Sequence, residues 1–451
     1  MNQIQQLFDN NLAIKYFDAV CSQTEIQALA KALKINTTLE MLVLTCNKID
    51  DQDVQVLAEA LKINTALNTL SLGRNQISDK GTRALAEALK TNTTLRFLDL
   101  KNNQIGDQGT QALAEALKTN TTLLTLLLFD NSISYHGAQA LSEALKINTT
   151  LTTLDLRSTY FGFYIHANQI GYQGAQALAK ALKINTTLTQ LNLEHNQIRH
   201  LGAKALAKAL KTNTTLIILD LGGNQIGYQG TYFLAKALKT NTTLTYLNLK
   251  NNQIGYQGTQ FLAEALKINN TITELILMHN QINDRGAPAL AEILRTNTSL
   301  TTLDLEYNQI GNQCAQALAE VLKINTTLIS LNLWANQIGN QGTQVLAESL
   351  KTNTILTELD LGYNQIDNQG GQALAKSLKK NTSLTTLKLY NNHIENNIII
   401  IINQKLKINT INKKRSRCLQ ILCLEKLKQL NRTDEIKFFN STVYDSCMMK
   451  Y

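Results

Sequence analysis

The sequence predicts an α/β solenoid, a curved stack with a parallel β-sheet on its concave face and α-helices on its convex face. The first observation is internal repetition. A 28-residue unit, LTTLDLxxNQIGDQGTQALAEALKTNTT, begins at Leu39, Leu67, Leu95, Leu123 and Leu151 and resumes at Leu188, Leu216, Leu244, Ile272, Leu300, Leu328, Leu356 and Leu384. The second is a change of period inside each unit, from alternation in LxxLxL to a helical stripe in QALAEALK. The third is composition: one proline and 6% aromatics in 451 residues, with much Leu, Ala, Asn, Thr and Gln, fit many copies of one short unit.

Residues 1–38 are expected to cover the N-terminal end of the stack. The strand LAIKYF there is degenerate, and SQTE, Ser22 to Glu25, is a capping box ahead of the helix IQALAKAL. Thirteen units follow over residues 39–411. In each, positions four and six, such as Leu303 and Leu305, point into the core. Position nine is Asn in every unit, from Asn47 through Asn168 to Asn392, where its amide suits backbone groups left unpaired as the chain turns out of the strand. Ile at position eleven, such as Ile310, re-enters the core. A Gly, Asp, Ser or Asn then opens the helix. Ala112, Leu113, Ala116 and Leu117 typify its apolar stripe. Lys or Arg closes it, from Lys62 to Lys379, where a cation suits the negative end of the helix dipole by about 0.3–1 kcal/mol. Pro288 falls in a first helical turn, where its missing N–H is harmless. One strand and one helix cannot bury both faces alone, so units must stack. Helices pack roughly 8–10 Å apart and strands about 4.8 Å apart, which bends the stack.

The beat is broken once. RSTYFGFYIHANQIG, residues 157–171, carries nine extra residues from Thr159 to Ala167, TYFGFYIHA. They fall between a strand and its Asn, so they bulge from the rim. Two readings of Tyr160, Phe161, Phe163 and Tyr164 stand side by side: a loop that contacts a partner, or a slipped duplication whose aromatics fold onto neighbouring units. After the last unit, Ile398 to Ile402 stand where Gly, Ala and Leu belong. Residues 412–451 are expected to cover that surface through the amphipathic segment CLQILCLEKLKQL, Cys418 to Leu430. Its basic leader KKRSR, Lys413 to Arg417, reads either as part of a solvated cap or as a nuclear-localisation or anionic-surface patch.

The unit resembles the leucine-rich repeats of the ribonuclease-inhibitor type, also used as sensor arms by NOD-like receptors, over about residues 12–411. The resemblance implies the horseshoe fold. It does not reach the nucleotide-binding module of those receptors, because the sequence has no G-x-x-x-x-G-K-[ST]. HExxH, GxSxG and paired CxxC motifs are also missing, and none of the six histidines pairs with another at metal-ligand spacing on one face. The expected function is therefore non-enzymatic, without cofactor, metal or small-molecule substrate. GTPase-activating proteins of the Ran type are similar in fold, so a small-GTPase regulator is the rival expectation, and a host-directed effector is a third.

Net charge is +9, but residues 412–451 hold nine Lys/Arg against four Asp/Glu. The repeats alone thus carry no global nucleic-acid signature. Six cysteines, Cys21, Cys46, Cys314, Cys418, Cys423 and Cys447, read as free thiols in a reducing compartment. The opening MNQIQQLFDNN lacks the regions of an export signal, and no run approaches 18 apolar residues. The expectation is a monomeric cytoplasmic protein away from membranes, or one delivered into a host cytosol if it comes from an intracellular bacterium. Asn-Thr-Thr at unit ends matches a glycosylation acceptor but reads as a helix end.

On such a scaffold the outward strand positions form columns on the hollow face. The fifth holds Asp99, Asp155, Asp220, Asp304 and Asp360 interleaved with Asn192, Asn248 and Asn332. With Glu194, Glu274, Glu306 and Glu358 it predicts an acidic concave face on a basic chain. Positions seven and eight supply Tyr307, Trp334, Tyr363 and Tyr390 in four consecutive units. Aromatics beside carboxylates are typical interface anchors, and ribonuclease inhibitors are similar in binding a basic partner with such a face. The bland alternative is a set of isolated exposed rings. On the convex side Lys180, Lys208 and Lys236 replace the usual Glu next to Lys183, Lys211 and Lys239. They read either as a patch for an anionic partner or as solvated helix charges.

Overall fold

The computed structural model describes residues 16–18, 20–159 and 167–429. Among these, fourteen three-residue strands pair in parallel and in chain order into one sheet, from β1 (Tyr16–Asp18) to β14 (Thr386–Lys388). Register never slips: Leu303 is level with Leu275 on one side and Leu331 on the other. Equal unit length causes this, because each unit buries the same Leu at the middle of its strand. Leu300, Leu303, Leu305 and Ile310 are all essentially inaccessible, as are Ala315, Leu318 and Leu322 from the helix behind them. The core is thus a continuous band between sheet and helices, and the leucine-rich solenoid follows from the period.

Asparagine holds the turns. Asn224, fully buried, donates through Nδ2 to the carbonyls of Leu193, Leu221 and Gly222 at 2.8, 3.0 and 3.0 Å. Its Oδ1 accepts from the Asn196 and Ile198 N–H groups at 2.9 and 3.2 Å. One amide therefore satisfies backbone of two units. The unit-end Asn forms a second ladder: Asn120 donates to the Leu89 carbonyl at 2.8 Å and accepts from Leu123 N–H at 2.8 Å. It is buried, which removes it as a glycosylation acceptor and makes it the pivot from helix to strand.

Helix starts differ along the stack. In outer units a carboxylate or amide in the first turn reaches forward: Asp79 Oδ1 accepts from Gly106 and Gly109 N–H at 2.7 and 2.8 Å, and Asn340 takes Asp367 and Gly370. In the middle, Tyr172, His200, Tyr228 and Tyr256 hold that position. There the helices begin one residue earlier, at Gly171, Arg199, Gly227 and Gly255, all with φ between 56° and 64°. Pro288 sits in the first turn of the helix Ala287–Thr296, behind a 3₁₀ turn at Asp284–Gly286.

At the N-terminal end the Ser22 N–H donates to Glu25 at 2.8 Å, closing the capping box. At the other end a 34-residue helix, Asn396–Gln429, runs unbroken across the expected boundary at residue 412. Ile398, Ile402 and Leu406 turn inward, while Ile400, Ile401, Ile408 and Ile411 stay exposed. Asn409 explains the extension. It still donates to the Asn381 and Leu384 carbonyls at 3.1 and 2.8 Å, but no strand follows β14 among the described residues to draw the chain out of the helix. No helix among the described residues is long and apolar enough to cross a membrane.

Candidate protein-binding surface

The strands set the geometry of the hollow face. Position five lies one residue before an inward Leu, so its side chain stands on the concave surface beside the turn. Its first duty is local: Asp304 Oδ1 accepts from Glu306 N–H at 2.9 Å, Asp360 Oδ1 from Gly362 N–H at 2.9 Å, and Asn332 Oδ1 from Trp334 N–H at 3.0 Å. This explains why Asp and Asn recur in the column, interrupted by Leu127 and Ile276. Asp360 is also buried, and its other oxygen meets Lys388 Nζ at 3.1 Å. Asp99 and Asp155 are likewise paired, with Lys101 and Arg157 at 3.1 and 3.3 Å. Sequence reasoning missed these cations, although Lys388 stands at position five of the next unit.

Charge remains after pairing. From β6 (Thr153–Asp155) to β14, positions three, five and seven hold eight carboxylates against Arg157, Lys250 and Lys388. Burial pushes the Asp155 carboxyl up to about 6 despite Arg157, and raises Asp220 and Asp304. Glu306 is raised by burial and by Asp304 and Asp360. Burial together with Asp220, Glu274, Glu194 and Asp304 pushes the Tyr246 phenol up to about 12. Glu194 is the exception: burial works against its ionisation, but His195 and Lys250, the latter at 2.7 Å, hold it below its usual range. The concave face is thus a low-dielectric surface with surplus negative charge.

The four aromatics meet around Trp334, the chain's single tryptophan. Its ring packs edge-on to Tyr307 with centroids 4.8 Å apart, and lies 5.3 Å from Tyr363 and 6.5 Å from Tyr390. His279 extends the row, 5.9 Å from Tyr307. Gly362 makes room, since a Cβ there would come within 2.6 Å of the indole. The indole Nε1 is buried without a hydrogen-bond partner, while Tyr307, Tyr363 and Tyr390 are about half exposed. A shallow groove lined by His279, Gln281, Tyr307, Gln309, Gln337 and Tyr363 runs along this rim.

Two of these tyrosines carry strain. Position eight is left-handed in nearly every unit; Asn102, Gly223, Asn251 and Asn391 tolerate it readily, while Cys46, Arg74, Asp130, His195, His279 and Ala335 adopt it as the tyrosines do. Tyr307 and Tyr363 adopt φ of 54° and 52°, an arrangement that costs on the order of 1 kcal/mol per bulky residue. Glu306 lies beneath them and accepts from Asn332 Nδ2 at 3.0 Å. Glu358, on β13 (Glu358–Asp360), is exposed beside the cluster.

Tyr160, Phe161, Phe163 and Tyr164 lie outside the described residues. The base of their insertion is described, and it is built. Asp130, buried at position eight of the preceding unit, accepts from the Thr159 N–H and hydroxyl at 2.5 and 2.6 Å. Ser158 Oγ donates across the base to the Asn168 carbonyl at 2.9 Å.

The leucine-rich repeat model matches ten segments between residues 36 and 375, together just over half of the chain. The chain therefore belongs to the leucine-rich repeat family. Among solved structures it is similar to an internalin from Listeria monocytogenes, with 23% identity, a TM-score of 0.48, and 90% of this chain and 92% of that one covered. It is also similar to the actin-binding site 2 of leiomodin-1, with 27% identity and a TM-score of 0.32 over 38% of this chain and 97% of that one. A third similarity is to the mouse RP105/MD-1 complex, with 18% identity, a TM-score of 0.48, and 81% of this chain and 61% of that one. No match is found among curated proteins.

Proposed function

We propose that this chain is a non-enzymatic scaffold that binds a protein partner with a basic surface on its concave face and rim, between β8 (Ile218–Asp220) and β14. The observation that carries the reading is the aromatic cluster around Trp334, set beside carboxylates whose charge the chain does not neutralise. A lysine or arginine from a partner lowers the raised pKa values of Asp304 and Glu306, so binding itself is favoured by relieving them. The half-exposed tyrosines supply rigid apolar anchors for the groups around that cation.

Four described cysteines are free, which favours action in a reducing compartment such as the cytosol. The test uses Tyr307→Ala, Tyr363→Ala, Glu306→Lys and Glu358→Lys. Asp304 and Asp360 are unsuitable, since changing them also strips backbone N–H groups of their acceptors. Wild type is expected to capture a basic protein from a lysate of its source, and the fourfold variant is expected to lose it while melting within a few degrees of wild type. Equal capture by both would remove this surface from consideration. Acceleration of GTP hydrolysis in a panel of small GTPases would favour the regulatory reading instead.

A further inference from the structure

Half of the twelve regular units neutralise their own helix end with an ion pair, and outside the centre Lys376 before Lys379 is a further like-charged end. Glu59, Glu87, Glu115, Glu143, Glu264 and Glu348 each pair with the Lys three residues later, at up to 3.1 Å. Three consecutive helices, Gly171–Leu182, Arg199–Leu210 and Gly227–Leu238, lack that pair together. There Lys180, Lys208 and Lys236 face Lys183, Lys211 and Lys239, all exposed. None of the six makes an ion pair among the described residues, and the patch is bounded on both sides by intact pairs, Glu143–Lys146 and Glu264–Lys267. Like charges three apart on a helix destabilise it, so the scaffold gives up a favourable pair three times running.

Aromatic rings accompany the lysines. Tyr232 is the only aromatic at its unit position and packs edge-on to Phe261 at 5.0 Å, with Lys236 Nζ 4.6 Å above its ring. Lys204 Nζ lies 5.0 Å over Phe233. Adjacent helices pack roughly 8–10 Å apart, so each lysine row advances by about that step. In an extended polyproline II segment, with three residues per turn, side chains three residues apart lie on one face and are separated by about 9 Å. We propose that this convex face binds an extended acidic protein segment lying across the three helices, with a carboxylate at every third residue over the lysine rows and an apolar side chain against Tyr232. The surface is separate from the concave one and does not depend on it.

The probe is a labelled 15-residue peptide with Glu at every third position and one Phe. The triple variant K180E/K208E/K236E restores the pairing of the neutralised units, so it should fold with a Tm at or above wild type. Should it melt lower, K180Q/K208Q/K236Q takes its place. Saturable binding to wild type that weakens with salt, falls at least tenfold in the triple variant and survives Tyr307→Ala/Tyr363→Ala supports the proposal. No binding to wild type, or equal binding by the triple variant, overturns it. So does tighter binding of single-stranded DNA of equal charge or of phosphatidylserine vesicles.

Discussion

Arg199 stands where six other units place glycine, three of them in the left-handed region. Its φ of 56° matches those of Gly171, Gly227 and Gly255, and its N–H reaches the Asn224 carbonyl as theirs reach the next unit. Arg199→Gly should therefore raise stability by about 1 kcal/mol, read as a higher denaturant midpoint, because glycine loses nothing in the left-handed region. Asn224→Ala should cost roughly 3–5 kcal/mol in the same measurement, since it strips three carbonyls and two N–H groups of their partners. At Asp155 the native pKa of about 6 exceeds the ordinary 3.8, so the folded state holds a proton that the unfolded chain releases. The stabilising contribution of its protonation is fully present below pH 4 and is lost as pH rises through about 6. Asp155→Asn, which keeps the local acceptor as Asn192 does, should gain on the order of 2 kcal/mol at pH 7 and nothing near pH 4, followed as Tm against pH. At this scale the ladder Asn was legible because it recurs in every unit. The turn-acceptor duty of the fifth-position Asp was not, because a turn acceptor and a solvent-facing charge have the same side chain.

At the scale of elements, the period of 28 residues makes strand, turn and helix readable, and even the proline falls where its register demands. Two elements escaped that logic. The terminal helix keeps the LKINT ending of other units, yet the stop it encodes needs a following strand to act, which local sequence alone does not reveal. The insertion was readable as a rim excursion, but its anchoring to Asp130 depends on a residue 29 positions earlier. That anchor changes what deletion should do. Removing Thr159 to Ala167 leaves the buried Asp130 carboxylate without its two donors and should destabilise the fold by about 3 kcal/mol. Adding Asp130→Asn, the residue that Asn102 supplies at the same unit position, should recover most of the loss in thermal unfolding.

Across the whole molecule, a scaffold of near-identical units makes each departure informative. The C-terminal half differentiates its hollow face with rings and surplus carboxylates, and the central units differentiate their outer face with lysines. The fold was therefore almost wholly visible in the sequence, while the site was visible only as columns. Contact among the rings, pairing of Asp360 with Lys388, and strain at Tyr307 and Tyr363 depend on how the units curve together. Trp334 offers a direct report on the central proposal, since the chain has no other tryptophan. Its emission should be measured while the protein is titrated with the basic partner that it captures. The expected result is a saturable shift that strengthens as pH rises and the raised carboxyls of Asp304 and Glu306 ionise, and that disappears in Tyr307→Ala/Tyr363→Ala. Saturable binding with unchanged Trp334 emission would contradict it.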